Sequence, residues 1–322
     1  MKGHVLVTGG AGFIGSHLVE RLLAGGDRVV VLDDLSTGRA ANLAAVSRHP
    51  GLEMIEGRVS NCRHLESLVA QARQIFHLAA SVGVELVVQS PISTIQNNLA
   101  ETESVLTAAA RHRIPLLFAS TSEVYGKSDK PWFSEDDDLL IGPPTYSRWS
   151  YACSKLMDEF LALAHHRDSG LPVVIVRLFN IVGPRQSGQY GMVLPRLVEA
   201  ARAGRPMRVH GDGRQTRCFC HVHDCVEALL RLHRCPAAVG EIVNVGTDAE
   251  IRIRDLAERV REILGSASPV ELVPYAEALG PQFQDMPRRR PDLRKLERLT
   301  GFRPAVDLAQ IIRDVADPRA RG

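Results

Sequence analysis

The sequence predicts an α/β protein: an open, doubly wound parallel sheet with a smaller α/β unit after it. Three observations carry this prediction. HVLVTGGAGFIGSHLVERLLAGGDRVVVLDD reads as strand, glycine turn, helix, strand. RIPLLFAS, residues 113–120, reads as a further buried strand that runs into hydroxyl residues. Beyond it, Tyr151, Lys155, Leu156, Glu159, Phe160 and Leu163 recur at helical spacing. Strands alternating with helices in this way build parallel sheets.

The first strand is His4 to Thr8, a short apolar run. Gly9, Gly12 and Gly15 follow, and Phe13, Ile14, Leu18, Leu22 and Leu23 mark one face of a helix. Gly25-Gly26 is its stop signal. A second strand, Arg28 to Leu32, ends at Asp33. Gly9 permits a tight turn, Gly12 lets backbone approach a pyrophosphate, and Gly15 lets helix and strand pack closely. The helix start offers free N–H groups to phosphates. In this context the glycines form the fingerprint of a Rossmann dinucleotide site. Asp33 can accept hydrogen bonds from an adenosine ribose and repels a 2′-phosphate, which favours NAD over NADP. Arg39 is the residue that could receive a 2′-phosphate instead.

Composition narrows the class. The chain has 322 residues, 45% hydrophobic and 24% charged, with a formal net charge of +2. That balance gives no bulk argument for nucleic acid or a membrane surface. There is no run of 18 apolar residues, no signal-peptide pattern, no repeat and no low-complexity segment. Six cysteines show no framework spacing, so reduced thiols in a cytoplasm are expected. CFCHVHDC, residues 218–225, resembles a metal cluster only superficially. On a strand, Cys218 and Cys220 point to one face and His221 and His223 to the other. No metal is expected there, only buried thiols.

Tyr151-x-x-x-Lys155 carries the chemistry. Residues i and i+4 of a helix share a face, so phenol and ammonium project together. A phenol has a reference pKa of ~10 and is a poor base at neutral pH. A neighbouring ammonium and an oxidised nicotinamide both favour the phenolate, which could then take a proton from a hydroxyl as hydride leaves. STSEVYG, residues 120–126, sits at the C-terminal end of the predicted strand, where open α/β sheets build their sites. Glu123 there is read as a chemical group, not a solvated charge.

Gly9-x-x-Gly12-x-x-Gly15 after Thr8, with Tyr151 and Lys155 downstream, resembles the extended short-chain dehydrogenase/reductase family and its nucleotide-sugar epimerase and dehydratase group. The resemblance covers essentially the whole chain. It implies that IFHLAA (75–80) is the fourth strand and that Leu78, Ala79 and Ala80 pass the cofactor. With Gly9, Gly12, Phe13, Ile14, Gly15, Asp33, Tyr151 and Lys155 they form the expected NAD site. It also implies that Thr121 or Ser122 partners Tyr151, that C4 of a sugar is oxidised first, and that Glu123 lies near C5 and C6. Dehydratases of the group carry Asp-Glu where this chain has Ser122-Glu123, and epimerases typically carry a small residue at the Glu123 position. Its glucuronate decarboxylases carry TSEVYG in full. The expected activity is therefore NAD-dependent decarboxylation of UDP-glucuronate to UDP-xylose, with a 4-keto-pentose released if NADH escapes. The alternatives are a 4-epimerase acting on UDP-glucuronate or UDP-glucose, to which SRWSYACSK and NIVGPRQSGQYGM are also similar, and a 4,6-dehydratase, disfavoured by Ser122. A non-catalytic NAD-binding scaffold is argued against by the intact Tyr151, Lys155 and Ser122.

The same resemblance implies a substrate half. Asn180 would contact the sugar diphosphate, and MVLPRLVEAARAG would be a helix over the nucleotide. Arg217 and Arg290 would bind the diphosphate with their planar forks, and Arg185 would face the substrate carboxylate. The chain departs from the family at Arg58, where an acidic residue usually lies near the adenine. NAD binding is expected to survive that change, and the adenine contact is the part it touches. His210 replaces an aromatic and Ile181 a threonine. Residues 1–178 are expected to form the NAD-binding domain, with 214–247 returning to it, and 179–322 the substrate domain. IRIRDLAERVREILG (251–265) is an amphipathic helix of the latter. The helix near 95–112 and the Tyr151 helix imply a homodimer through a four-helix bundle.

Overall fold

Seven strands, all parallel, form the central sheet of the computed structural model, which describes residues 3–80, 90–188, 192–280 and 284–317. Six come from the first half: β1 His4–Thr8, β2 Val29–Asp33, β3 Leu52–Glu56, β4 Ala72–His77, β5 Leu116–Thr121 and β6 Val173–Leu178. Four short strands follow, β7 Ile181–Val182, β8 Met207–His210, β9 Thr216–Cys218 and β10 Cys220–His221. β11 Ile242–Val245 then returns to the sheet beside β6, before β12 Glu250–Arg252 and β13 Val270–Val273. The order is β11-β6-β5-β4-β1-β2-β3. The chain changes direction between β1 and β4, which opens a crevice at their C-terminal ends.

The helices are α1 Phe13–Ala24, α2 Leu65–Gln71, α3 Pro91–His112, α4 Arg148–Ser169, α5 Val193–Arg202, α6 Val222–His233, α7 Ile253–Leu264, α8 Tyr275–Leu279, α9 Arg294–Thr300 and α10 Leu308–Ala316. The sheet is covered on both faces, so β1 and β2 are buried along their whole length. Successive residues serve opposite cores. Val5 and Val7 pack with Leu18 and Leu22 of α1 and Val226 and Leu229 of α6. Leu6 packs with Val105 and Leu106 of α3 and Ala162 of α4. Each fully buried Leu or Val of α1 contributes about 1.5–3 kcal/mol to holding that helix on the sheet. α1 ends at Gly25, as its stop signal predicts.

A third core joins α5, β8, α7 and α10 through Leu197, Val198, Met207, Leu256 and Ile311. A fourth, with Val124, Tyr125, Phe133, Trp149, Phe179 and Met286, lies under the loop after β5. No helix of the described residues is long and apolar enough to cross a membrane.

Two elements differ from the sequence reading. The first residues of the expected 251–265 helix belong to β12, which pairs antiparallel with β9. The strand expected through Cys218 and Cys220 is two short strands with different partners, β12 and β7. Cys220 and Cys225 are core residues whose thiols burial pushes up. Among the described residues, no group of three or more His, Cys, Asp or Glu could hold a metal ion.

Candidate active site

The crevice begins at the glycine turn. Gly9 has φ +72°, and a Cβ there would stand 2.7 Å from the Ala79 backbone nitrogen. A Cβ on Gly15 would stand 2.1 Å from the Gly9 carbonyl oxygen. Both positions therefore exclude side chains. α1 starts at Phe13 with no side chain capping it, so its first N–H groups open towards the crevice. Asp33 ends β2. Its carboxylate accepts from the Ala11 nitrogen at 2.8 Å and the Leu35 nitrogen at 2.9 Å. Burial raises its pKa despite those bonds. Leu78, Ala79 and Ala80 form the facing wall. These residues fit a dinucleotide: the turn leaves room only for backbone, and a carboxylate stands at the end of the second strand.

The wide end of the crevice is lined by Thr121, Ser122, Glu123 and Tyr151. They come together because β5 delivers the hydroxyl loop to the first turn of α4. The Thr121 hydroxyl accepts from the Glu123 nitrogen at 3.2 Å and also hydrogen-bonds the Tyr151 phenol. The Ser122 Oγ is buried without a hydrogen-bond partner among the described residues, at the wall it shares with Tyr151. Burial, then the charge of Glu123, pushes the Tyr151 phenol above its ordinary value.

Lys155 is buried one turn further along α4. Its Nζ lies 3.3 Å from Asp158 and 4.0 Å from the centre of the Phe118 ring. Burial lowers its pKa, and Asp158 opposes that. Thr102, beside Asp158, contacts His77 Nε2 at 3.3 Å. Burial, then the Lys155 charge, holds His77 down to about 3, so it is neutral. Its Nδ1 is 2.7 Å from Thr8 Oγ1, at the entry to the glycine turn.

Glu123 faces a cluster of arginines. Arg289 Nη1 donates to its Oε1 at 3.0 Å, and Arg148 Nη2 lies at 3.6 Å. Burial raises the Glu123 carboxyl, but Arg148 and Arg289 outweigh it and hold it below the usual carboxylate range. Asp285 sits in the same cluster, 2.8 Å from Arg217 Nη2 and 3.2 Å from Arg148 Nη1, and accepts from the Tyr275 hydroxyl at 2.8 Å. Against burial, Arg217 and Arg148 bring Asp285 down to about 2. Burial and then the charge of Arg217 bring Arg289 down to about 10. Three guanidiniums against two carboxylates leave this end of the crevice net positive, which suits an anion.

A match to the NAD dependent epimerase/dehydratase family spans residues 5–246. The chain belongs to that family. It is 39% identical to a UDP-N-acetyl-alpha-D-glucosaminuronate decarboxylase of Bacillus cytotoxicus, over 98% of this chain and 97% of that protein. It is 36% identical to UDP-glucuronic acid decarboxylase 4 of Arabidopsis thaliana, over 95% of this chain and 66% of that protein. The fold is similar to the crystal structure of a Thermus thermophilus UDP-glucose 4-epimerase in complex with NAD. The TM-score is 0.83 and the identity 30%, over 99% of both chains.

Within this member of the epimerase/dehydratase family, most of the predicted residues meet at the crevice. Gly9, Gly12, Phe13, Ile14, Gly15, Leu78, Ala80, Thr121, Ser122, Glu123, Tyr151, Asn180, Arg185 and Arg217 all line it. Asp33 and Ala79 line its narrow branch. Asn180 is held by its Nδ2 donating to the Cys218 carbonyl at 2.9 Å. Two expectations differ in the structure. Arg290 does not line the crevice: it packs over Trp132, and its backbone carbonyl accepts from Phe133. Its neighbour Arg289 is the guanidinium inside, bonded to Glu123. Arg185 is bonded to Ser16 at 3.3 Å and Glu20 at 2.6 Å, both on α1, so it straps its loop to the nucleotide helix. Lys155 pairs with Asp158.

Arg148, Tyr275, Asp285 and Arg289 were missed by the sequence reading. Arg148 had a signal, since it lies three residues before Tyr151 on one helix and so shares its face. The other three sit on short or irregular segments with no periodicity to read.

Proposed function

We propose that this chain is an NAD-dependent UDP-glucuronate decarboxylase, acting as a cytoplasmic homodimer. The observation that carries the reading is the position of Glu123 and its arginines, Arg289 and Arg148, directly beside Tyr151 and Ser122. That grouping offers a base at one sugar carbon and an anion site at the next. The names of the decarboxylase relatives support it.

When bound, NAD supplies the hydride acceptor and donor at C4 and, when oxidised, a positive charge that favours the Tyr151 phenolate. Tyr151 takes the proton of the C4 hydroxyl, and Thr121 and Ser122 hold that oxygen. Oxidation at C4 makes the uronate a β-keto acid. Its C5–C6 bond then breaks, CO2 leaves, and the electron pair passes to the C4 oxygen. Tyr151, now a phenol, donates to that enolate oxygen together with Ser122. Arg289 and Arg148 orient the carboxylate before it leaves, and Glu123 keeps both guanidiniums in place and positions a water that gives its proton to C5, the hydroxide left behind being neutralised by solvent. As C4 is reduced again, Tyr151 would return its proton to the C4 oxygen, leaving a UDP-pentose. Arg217, with Tyr275 and Asp285 fixing its plane, receives the diphosphate. Met157 and Phe160 on α4 and Ile92 on α3 are large apolar side chains left exposed, which supports a dimer through those helices.

Mass spectrometry of the nucleotide after incubation with NAD and UDP-glucuronate, or its N-acetylated amino analogue, tests the reading. Loss of one CO2 is expected. An unchanged mass with new sugar stereochemistry would make the chain a 4-epimerase. Glu123→Gln is expected to lower kcat about 100-fold, in the range of a lost acid–base group. Intact turnover in that variant would remove Glu123 from the mechanism.

A further inference from the structure

Arg58 stands where the family usually presents an acid to the adenine, and the structure shows what surrounds it. The narrow branch of the crevice runs from Asp33 past Leu78 to Arg58, Asn97 and Glu101. Arg58 is tied to its own neighbours: Nε donates to Asp34 Oδ2 at 3.1 Å and Nη1 donates to Asn97 Oδ1 at 3.1 Å. A guanidinium carries donors only, so it cannot accept a hydrogen bond from an amine.

Glu101 lies four residues after Asn97 on α3, on the same face. Glu101 is 9% exposed and lines the branch. Oε2 accepts from the Val59 nitrogen at 2.7 Å and Oε1 from the Ser60 hydroxyl at 2.8 Å. Those bonds fix the carboxylate against the segment that follows Arg58. A carboxylate has about four acceptor positions, and two are used here. The remaining capacity stands at the wall of the branch, beside the position that Arg58 vacated as an acceptor.

We propose that Glu101 is the adenine-selecting residue of this chain: it accepts from the exocyclic 6-amine of the NAD adenine, in place of the acid missing at position 58. The inference rests on the NAD reading above. It commits the branch to a base with a donor at that edge.

The test is binding, not turnover. NAD and nicotinamide hypoxanthine dinucleotide, in which a 6-oxo group replaces the 6-amine, are titrated calorimetrically into wild type, Glu101→Gln and Arg58→Ala. Wild type is expected to prefer NAD by about tenfold or more, the size of one hydrogen bond to a charged acceptor. Glu101→Gln presents an amide that can donate or accept, so its preference is expected to fall towards one. Arg58→Ala is expected to keep the wild-type preference. A wild-type ratio near one overturns the proposal without any variant. A ratio unchanged in Glu101→Gln, with NAD still bound, overturns it too. If wild type binds neither dinucleotide, the NAD reading itself fails and this inference with it.

Discussion

At the glycine-turn end of the crevice, the turn and the carboxylate that face the ligand space come from one continuous stretch, His4 to Asp33, and Leu78, Ala79 and Ala80 close the other side. At the arginine end, Glu123, Arg148, Arg217, Tyr275, Asp285 and Arg289 arrive from segments far apart in the chain and meet through side chains. The first surface depends on what is absent, a Cβ at Gly9 and Gly15. The second depends on charges that must be present together, because any one left alone would be buried unpaired. The two ends should therefore respond to substitution in different ways.

The largest effect is expected at Gly15. Gly15→Val places a side chain against the Gly9 carbonyl, 2.1 Å from where its Cβ would stand. Overpacking of that kind costs about 1–3 kcal/mol and shifts backbone. NADH titration by fluorescence is expected to show binding abolished, with a lower melting temperature. Wild-type affinity in that variant would break the claim that this end is defined by close backbone packing.

Next come the paired arginines. Arg289→Gln is expected to lower kcat/KM about 100-fold, the scale of one lost electrostatic contact to the reacting group. Arg290→Gln, one residue away, is expected to stay within about twofold, since its side chain packs over Trp132 outside the crevice. Steady-state kinetics of both variants sharpens the comparison, and equal losses would erase it.

The smaller test is in the sign of the two aspartates. Asp285 is brought from its ordinary 3.8 to about 2, so its stabilisation is fully present above about pH 4 and is lost as pH falls through 2. That difference corresponds to about 2 kcal/mol. Asp33 is raised by burial, so its contribution has the opposite sign: present at low pH and lost as pH rises through its raised pKa. At pH 7 Asp285→Asn is expected to lower the melting temperature of the cofactor-free protein, and Asp33→Asn to raise it slightly. Thermal melts from pH 2 to 7 read both. Shifts of the same sign would show that the two carboxylates share one environment.

Local spacing made much of this legible. Gly9, Gly12, Gly15 and Asp33 are fixed by a turn and two strand ends, and Tyr151 and Lys155 by one helical turn, so distance along the chain stands for distance in space. The hydroxyl loop was legible because it ends a strand. Arg148 lay within reach of the same helical argument. Arg289 was missed by one residue because its loop has no period to say which side chain turns inward. What distinguishes the two is their partners, Glu123 for Arg289 and Trp132 for Arg290, both far away in sequence. Arg185 carries the charge an anion site needs, yet Glu20 was already there to take it.

The sheet, the glycine turn after β1 and the helix that carries Tyr151 and Lys155 were already legible in the sequence. All three rest on backbone conformation and short-range periodicity, which each segment specifies on its own. The tertiary structure alone decided which arginines face Glu123, that Lys155 rests on Asp158, and that Glu101 stands beside Arg58. A buried charge takes whichever partner the fold brings within about 4 Å, and that choice is made between segments, not within them.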